Sequence, residues 1–486
     1  MLNTNGVSID PSKDKLHEEC GIFGIATSPG SGLDPVYETF AGLFSLQHRG
    51  QESCGIAVND RGVISYHKDL GLVMEVFHEK MLKRLSGNSA IGHVRYSTTG
   101  NSSKENAQPI VVTHIKGNLA IAHNGNLVNA AELRHDIEMS GGIFHSSNDS
   151  EIIAYIIVQE RLNSKSIEEA LMKTMKRIKG AYSLLIMSPR KLIAARDPNG
   201  FRPLCMGKVE GHYMFASETC AIDAVGGEFI ADVEPGQIIV IENGAMRALD
   251  SGIKANKTFC SFEFIYFARP DSILEGVSVE KIRQKMGRSL SIESGVDADI
   301  VIGVPDSGLS AAIGYSLESG IPYGVGLIKN RYMGRTFIQP VQGQRERAVK
   351  LKLNPLSANI KGKRVIMIDD SIVRGTTSAR IVSALREAGA KEVHMRISSP
   401  PFLNACYFGT DIPDSDSLIA YNNTVEGTAR LIGADSLAYL SRGALVSIIG
   451  EEGCPICDAC FSGDYPVNPP TVAEKNIFDR QIINIV

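Results

Sequence analysis

The sequence predicts an α+β domain followed by an α/β domain that contains a doubly wound parallel sheet. In residues 20–245, short β-type runs outnumber helical patterns, and many neighbouring runs are close enough to pair antiparallel. After about residue 260, continuous apolar strands alternate with loops and helices, which is typical of a parallel sheet covered on both faces. The length of 486 residues allows two or three such domains.

The composition argues against several classes of protein. The chain has 50 Lys and Arg against 54 Asp and Glu, a net charge of −4, so bulk charge does not favour nucleic acid or an anionic membrane as a partner. No apolar run reaches the roughly 20 residues of a membrane span, and residues 1–19 lack the apolar core of a secretory signal. Nine cysteines in such a chain favour metal binding or catalysis over disulfides. We therefore expect a cytoplasmic protein.

Residues 20–250 form the first predicted domain, after a polar leader at 1–19. Apolar residues at three- and four-residue spacing predict helices at 35–48, 129–139 and 150–162, the last capped by Asn148 or Asp149. Turn residues separate predicted strands at 20–26, 55–58, 63–66, 90–94, 110–114, 119–123, 182–187, 192–196, 213–216 and 237–241.

Residues 251–465 form the second predicted domain, before a Pro-rich tail at 466–486. A strand at 299–304 leads through a loop at 305–308 to a helix that Gly320 ends. A strand at 363–368 leads through a second loop to a helix at 377–388, and a strand at 392–397 follows. Ligands bind at the carboxyl ends of the strands in such sheets, so both loops are candidate binding loops.

The stretch 363–378 is the most informative part of the chain. Its hydrophobic strand brings two adjacent carboxylates, Asp369 and Asp370, to the carboxyl edge of the sheet. These can bind ribose hydroxyls or Mg²⁺, which prefers hard oxygen ligands. The loop that follows contains a glycine, an arginine and three hydroxyls, and it leads into a helix N-terminus. Backbone N–H groups and the helix dipole at such a place favour a phosphate group.

This stretch resembles the phosphoribosyl-pyrophosphate signature of the type I phosphoribosyltransferases. The resemblance implies that Asp369 and Asp370 hold the ribose hydroxyls and, with Ser307 of the first loop, a Mg²⁺ ion. It implies that five consecutive residues surround the 5-phosphate: Arg374, Gly375, Thr376, Thr377 and Ser378.

The segment 329–336 resembles the mobile lid of the same family, which would close Lys329 and Arg331 over the pyrophosphate. Without that role, its three cations would be an ordinary charged surface. The implied reaction is substitution at the anomeric carbon of ribose, with pyrophosphate leaving. Stabilisation of the leaving group by cations and positioning of the nucleophile would supply most of the catalysis.

Cys20 begins the first domain directly after two glutamates. If the leader is removed, Cys20 carries a thiol and a free α-amino group, whose pKa of about 7.7–8.0 suits a general base for that thiol. A cysteine standing alone would be a packed core residue. Four further segments accompany Cys20, at 47–51, 92–98, 123–127 and 147–151.

Together these segments resemble the class II glutamine amidotransferase domain. The resemblance implies an N-terminal-nucleophile fold, a four-layer αββα sandwich. It implies that Cys20 attacks the side-chain amide of glutamine, while the Asn124 side chain and the Gly125 N–H form the oxyanion hole. Arg95 would pair with the α-carboxylate of glutamine and Asp149 with its α-ammonium group. These residue types suit those charges.

Three cysteines near the end of the chain, Cys454, Cys457 and Cys460, are separated by two residues each. This dense spacing, in a chain with other unpaired cysteines, suggests ligation of an iron–sulfur cluster. Zinc is the alternative, although structural zinc more often uses two separate pairs of cysteines.

A glutaminase domain followed by a phosphoribosyltransferase domain resembles the glutamine phosphoribosylpyrophosphate amidotransferases. One branch of that family has a removable leader and a [4Fe–4S] cluster, and this chain resembles that branch. The resemblance implies the cluster ligands Cys260, Cys406, Cys454 and Cys457. Cys460 is then the spare thiol, which could exchange with Cys457.

The resemblance further implies synthesis of 5-phosphoribosylamine in the first committed step of purine synthesis, inhibition by purine nucleotides and a homotetramer. Two alternatives remain to be weighed. Amidotransferases that make asparagine or a hexosamine phosphate share the first domain, but they lack a stretch like 363–378. A non-catalytic regulator that binds DNA would carry an added basic segment and would not need the Cys20 domain.

Overall fold

The computed structural model describes residues 20–28, 30–96, 102–330, 353–412 and 414–470. The predicted leader at 1–19, most of the predicted lid including Arg331, and the tail beyond residue 470 lie outside the described residues. Within the described ranges, no helix combines the length and the apolar character that crossing a membrane requires.

The first half of the chain contains two antiparallel sheets. The first sheet has the spatial order β11-β9-β10-β1-β4-β2-β3. Its strands are β1 Gly21–Ala26, β2 Ser53–Asp60, β3 Val63–Leu70, β4 Ser89–Arg95, β9 Cys205–Val209, β10 His212–Ala216 and β11 Glu228–Asp232.

The second sheet has the order β13-β12-β8-β7-β6-β5. Its strands are β5 Ile110–His114, β6 Gly117–Leu127, β7 Gly180–Met187, β8 Lys191–Arg196, β12 Gln237–Glu242 and β13 Ala245–Asp250. The helices of this half are α1 Pro35–Ser45, α2 Val73–Val76, α3 Glu79–Leu82, α4 Ala130–Met139, α5 Asp149–Leu162, α6 Ile167–Arg177 and α7 Thr219–Ala224.

These elements form four layers. The two sheets bury an apolar layer between them, in which Ile22 and Ile91 of the first sheet share one cluster with Leu185 of the second. Helices α1 and α7 pack on the outer face of the first sheet, and α4, α5 and α6 pack on the outer face of the second. The structure therefore has the αββα order that the sequence resemblance implied.

Helix ends in this half follow from capping. Asn148 accepts a hydrogen bond from the Ser150 N–H and caps α5, as predicted for one of two candidate residues. The predicted helix 35–48 is too long, since α1 ends at Ser45. The chain continues in turns closed by i to i+3 hydrogen bonds, including Arg49 N–H to Leu46 O at 2.9 Å.

The second half is built on a parallel sheet with the order β17-β20-β21-β22, as predicted. Its strands are β17 Ile300–Gly303, β20 Arg364–Asp369, β21 Glu392–Ile397 and β22 Ser436–Tyr439. Its helices are α8 Val279–Ser294, α9 Leu309–Ser319, α10 Ser357–Ile360, α11 Thr376–Glu387, α12 Ile419–Asn422, α13 Val425–Ile432, α14 Arg442–Gly450 and α15 Ala459–Ser462.

Helices cover both faces of this sheet. On one face, Val301 and Ile366 pack against α8, α9 and α14. On the other, Ile302 and Met367 pack against α11 and α13. Alternate residues of each strand therefore face different helical layers, which explains why these strands are apolar throughout.

The described part of the second half also contains three two-stranded pairs, and a π-helix at Glu263–Phe267 lies where this half begins. The pairs are β14 Phe259–Cys260 with β23 Ile456–Cys457, β15 Ile273–Leu274 with β16 Val277–Ser278, and β18 Leu327–Lys329 with β19 Leu353–Pro355.

Helices α8 and α9 approach each other closely at two glycines. A Cβ atom on Gly287 would lie 1.9 Å from the Ala311 carbonyl oxygen, and one on Gly314 would lie 2.0 Å from the Gln284 carbonyl oxygen. Both neighbours are backbone atoms, so a side chain at either position requires the two helices to separate.

We expect Gly287→Ala to destabilise the protein by about 1–3 kcal/mol, because overpacking outweighs the better helix propensity of alanine. Urea unfolding followed by circular dichroism measures the change. Gly450→Ala in α14 is the matched control, since a Cβ there lies more than 4 Å from every atom of the described residues that are not its neighbours in the helix. An unchanged midpoint for Gly287→Ala would contradict the close packing of the two helices.

Candidate active sites

The first candidate site lies where β1 and β4 meet. Cys20 immediately precedes β1, and the antiparallel register pairs Gly21 with Val94. One residue before Gly21 and one residue after Val94, the same register places Cys20 beside Arg95, the last residue of β4. Cys20 is 6% exposed, and its thiol donates to the Tyr96 carbonyl oxygen at 3.5 Å.

A hydrogen bond between the two sheets brings β6 to the same place. The His93 Nε2 of β4 lies 3.0 Å from the His123 carbonyl oxygen of β6. Burial lowers the pKa of His93 to about 3, so its ring is neutral and Nε2–H is the donor. The residues after His123 therefore lie across from the end of β4.

Asn124 is the first of these residues. Its side-chain Oδ1 and Nδ2 are both buried, and neither has a hydrogen-bond partner in the described part of the chain. Buried amides are nearly always hydrogen-bonded in folded proteins, so an orphaned amide needs an explanation. An Nδ2–H group available for a ligand is the chemistry that an oxyanion hole requires.

Gly125 follows in a conformation that favours glycine, with φ of +150°. A Cβ atom there would lie 2.0 Å from the Ala181 carbonyl oxygen on β7. No other residue fits this close approach of strands β6 and β7.

Asp149 supplies negative charge at the N-terminus of α5. Its Oδ2 accepts from the Leu127 N–H at 3.0 Å, and its Oδ1 lies 3.5 Å from His123 Nδ1. The carboxylate is thus held by the end of β6 and by the helix start. The structure therefore brings Asp149 to the strand that carries Asn124 and Gly125.

The second candidate site lies at the carboxyl edge of the parallel sheet. The register that pairs Gly303 with Ile368 makes β17 and β20 end together. Ser307 and Ser371 each donate to one oxygen of Asp370, both at 2.5 Å. Asp369 and Asp370 are 8% and 7% exposed. Ser307 and the acid pair therefore form one group of hard oxygen ligands.

The loop after the acid pair turns directly into α11. Gly375 has φ of +81°, and a Cβ atom there would lie 2.5 Å from Ile419 Cδ1. The other predicted phosphate ligands are Arg374 and three residues in the first turn of α11, Thr376, Thr377 and Ser378. The Nη1 atom of Arg374 is buried and has no hydrogen-bond partner among the described residues. The helix N-terminus thus lies beside the carboxylates.

Lys329 lies next to this site as the last residue of β18, not in an irregular loop. Its Nζ is 2.5 Å from Asp306 Oδ2, one residue before Ser307. The structure therefore brings one cation of the predicted lid to the loop 305–308. Arg331 lies outside the described residues.

Four thiols line one pocket, but they are not the four that the sequence predicted. The parallel pair β14–β23 joins Cys260 to Cys457, and the backbone N–H of Asn404, near Cys406, bonds to the Cys460 carbonyl oxygen at 3.1 Å. The pocket is lined by Phe201, Cys260, Cys406, Phe408, Thr410, Cys457, Ala459, Cys460 and Tyr465. No three His, Cys, Asp or Glu side chains in the described ranges are arranged as the site of a metal ion.

Cys454, which the sequence resemblance implied as a ligand, does not line this pocket, whereas Cys460 does. Burial, and then the neighbouring thiols, raise the pKa of Cys460 well above its ordinary value. Cys454 has different neighbours: burial and the carboxylate of Glu275 raise its pKa to about 12, while the charge of Lys257 opposes them. The spacing of the three cysteines is the same on both sides of Cys457, so the sequence cannot choose between them.

Sequence reasoning included Arg49 in a motif but gave it no role. It missed two buried glutamates that bind the Arg49 guanidinium, Glu218 and Glu263. Glu263 stands between Phe262 and Phe264 in the sequence. A single carboxylate inside an aromatic run indicates a buried charge, and a buried charge requires a partner.

Comparisons with known proteins match one family to the first half of the chain and another family to the second half. The family described as glutamine amidotransferase domain matches residues 93–224, and the phosphoribosyl transferase domain family matches residues 279–398. An amidophosphoribosyltransferase of Methanocaldococcus jannaschii is 50% identical over 462 residues, which are 92% of this chain and 97% of that protein. The Bacillus subtilis amidophosphoribosyltransferase is 48% identical over 93% of this chain and 94% of its own.

Solved structures show the same fold. The B. subtilis glutamine phosphoribosylpyrophosphate amidotransferase, complexed with ADP and GMP, superposes with a TM-score of 0.87 at 46% identity and covers 94% of this chain and 99% of its own. A structure described as the allosteric regulatory enzyme of purine biosynthesis has a TM-score of 0.89 at 45% identity, with 96% and 100% covered. The chain therefore belongs to the amidophosphoribosyltransferase family, enzymes of purine synthesis that make 5-phosphoribosylamine from phosphoribosyl pyrophosphate, glutamine and water.

Proposed function

We propose that this amidophosphoribosyltransferase uses two separate sites, a glutaminase site at Cys20 and a phosphoribosyl-transfer site at Asp369 and Asp370. Ammonia released at the first site would travel inside the protein to the second. The observation that carries the proposal is the buried amide of Asn124, which has no hydrogen-bond partner among the described residues and lies with Gly125 near Cys20.

At the first site, the Cys20 thiolate attacks the amide carbon of glutamine. The Asn124 Nδ2–H and the Gly125 N–H donate to the oxyanion, while Arg95 and Asp149 hold the α-carboxylate and the α-ammonium group. The α-amino group of Cys20, freed by removal of residues 1–19, takes the thiol proton and returns it to the leaving ammonia. Water then hydrolyses the thioester to glutamate.

At the second site, Asp369 and Asp370 bind the ribose hydroxyls, and the loop 374–378 binds the 5-phosphate. The hydroxyl of Ser307 and the two carboxylates are the hard oxygen donors that Mg²⁺ prefers. When bound, Mg²⁺ would neutralise charge on the pyrophosphate leaving group. We expect Lys329 to exchange Asp306 for the pyrophosphate, and the sequence resemblance adds Arg331 as a second cation. Ammonia is the nucleophile, so no side chain of this site has to attack.

We place a [4Fe–4S] cluster on Cys260, Cys406, Cys457 and Cys460. Four thiols around one pocket fit a group whose iron atoms each take a cysteine, and the stacked rings of Phe201 and Phe408, with centroids 4.4 Å apart, shield it. Because neither reaction transfers electrons, its role would be to fix the chain's end to the second half. The chain would thus belong to the branch with a leader and a cluster.

The proposal also covers how the enzyme is inhibited and how its subunits assemble. Purine nucleotides would inhibit the enzyme, as the complex of the B. subtilis relative with ADP and GMP suggests. The working form would be a homotetramer in the cytoplasm.

Cys20→Ala should abolish glutamine-dependent synthesis, by about three orders of magnitude or more, because only glutamine hydrolysis needs the thiol. Synthesis from added ammonium should continue. Assays of phosphoribosylamine formation with each nitrogen donor measure both rates. Loss of both activities in a folded protein would contradict the two-site proposal.

The intact mass of the active enzyme provides an internal check of the same mechanism. It should correspond to a chain that begins at Cys20. An active protein that keeps residues 1–19 would refute the α-amino group as the base.

Asp369→Asn with Asp370→Asn should weaken binding of phosphoribosyl pyrophosphate by about 100-fold, since hydrogen bonds to charged groups contribute about 1.5–3 kcal/mol each. Calorimetry with Mg²⁺ present measures the affinity. Asp299→Asn, which removes an exposed partner of Arg364 at the opposite edge of the sheet, is the control. Equal affinity in the double variant and the control would exclude the acid pair from the site.

Cys460→Ser should lose most of its iron, whereas Cys454→Ser should retain about four irons per chain, because only the first thiol lines the pocket. Iron analysis with the visible spectrum measures both. A colourless, zinc-containing preparation with full activity would overturn the cluster, and iron loss in Cys454→Ser alone would restore the ligand set predicted from sequence.

A further inference from the structure

Arg49 joins the catalytic cysteine to the second half of the chain. Its side chain is completely buried, and its Nε donates to the Cys20 carbonyl oxygen at 2.9 Å. The bond is to the backbone of the residue that carries both the thiol and the α-amino group. The position of the guanidinium therefore determines where Cys20 lies.

Two buried glutamates fix that guanidinium. Arg49 Nη2 and Nη1 donate to the two carboxylate oxygens of Glu263 at 2.7 and 2.8 Å, and Nη1 also donates to Glu218 Oε1 at 2.7 Å. Both glutamate side chains are fully buried. A planar guanidinium with two parallel bonds to one carboxylate has a defined orientation, which a single bond would leave free.

Glu263 comes from the second half of the chain, whereas Glu218 comes from the first. Glu263 begins the π-helix, and Arg283 of α8 holds that segment through bonds of 2.8 Å to the carbonyl oxygens of Phe264 and Ala268. The place of the Glu263 carboxylate is thus set by the core of the phosphoribosyltransferase half. Segments with π-helical geometry are frequent at functional sites.

We propose that Glu263 is a positioning residue of the glutaminase site, acting on Cys20 through Arg49. The inference rests on the proposed role of Cys20 as nucleophile. Without the paired carboxylate, the guanidinium loses the two parallel bonds that fix its orientation, and Glu218 and the Cys20 carbonyl oxygen hold it less rigidly. The Cys20 backbone then loses its fixed donor, and the thiol leaves its place opposite Asn124. The glutaminase site is therefore incomplete without the second half.

Glu275 provides a matched control. It also lies in the second half, is 3% exposed, and binds a fully buried arginine of the first half, with Arg196 Nη2 at 2.7 Å from its Oε1. The remaining bonds of Arg196 go to the carbonyl oxygens of Arg202, Val233 and Gly200, not to Cys20. Glu275→Gln and Glu263→Gln therefore each remove one buried charge between the halves.

The experiment compares these two variants and the wild-type holoenzyme. Three quantities are measured: glutamine-dependent synthesis, ammonium-dependent synthesis, and the rate at which iodoacetamide alkylates the Cys20 peptide. We expect Glu263→Gln to lower the glutamine-dependent kcat about tenfold and to slow alkylation of Cys20. Ammonium-dependent synthesis should stay within about twofold of the wild type. Glu275→Gln should keep the wild-type ratio of the two activities.

A second variant, Arg49→Lys, keeps the inference testable if Glu263→Gln fails to fold. Arg49→Lys keeps the charge but lacks the planar fork that makes two parallel bonds to Glu263, so it should show the same selective loss. The inference is overturned if Glu263→Gln and Arg49→Lys lose both activities in parallel. It is also overturned if Glu263→Gln keeps the wild-type ratio of glutamine-dependent to ammonium-dependent synthesis. Cys20→Ala, assayed beside them, separates the two hypotheses: if it loses glutamine-dependent synthesis while Glu263→Gln does not, only the positioning role fails.

Discussion

The buried guanidinium of Arg49 is the interaction on which the arrangement of the two halves depends. Removing a charged group from water costs several kcal/mol, and that cost is offset only when its hydrogen bonds are satisfied by fixed partners. Here the partners are the backbone carbonyl of Cys20 and two carboxylates from different halves of the chain. Although burial opposes it, interaction with His48 and Arg49 lowers the pKa of Glu218, so this carboxylate stays ionised. Neither half can shift alone without leaving a charge unpaired.

Both candidate sites lie at the ends of strands, but the strands meet there in different ways. In the antiparallel sandwich, the ends of β1, β4 and β6 come together because a hydrogen bond from His93 to the His123 carbonyl links the two sheets. In the parallel sheet, β17 and β20 end together because parallel strands share their carboxyl edge. The apolar cores hold the strands rigidly, and the polar chemistry lies where the strands stop.

The cysteine pocket connects the last described segment to the beginning of the second half. Only a two-residue parallel pair joins β14 to β23, and such a short pair has little stability of its own. Aromatic residues from both halves, Phe201 and Phe408 among them, close the pocket. A group bound by all four thiols would add the restraint that the strands lack, in the way that a cross-link closes a long loop.

The sequence by itself determined the fold class, the order of the two domains and most strands, because hydrophobic periodicity and turn residues act locally. It singled out Cys20, Asn124, Asp149 and the acid pair as candidates, since those residues stand in dense motifs. Only the tertiary structure decided which cysteines share a pocket: Cys454 and Cys460 are equally spaced from Cys457, and the chain path alone separates them. Likewise, the aromatic run around Glu263 indicates a buried charge but does not identify its partner, because Arg49 lies 214 residues away in the sequence.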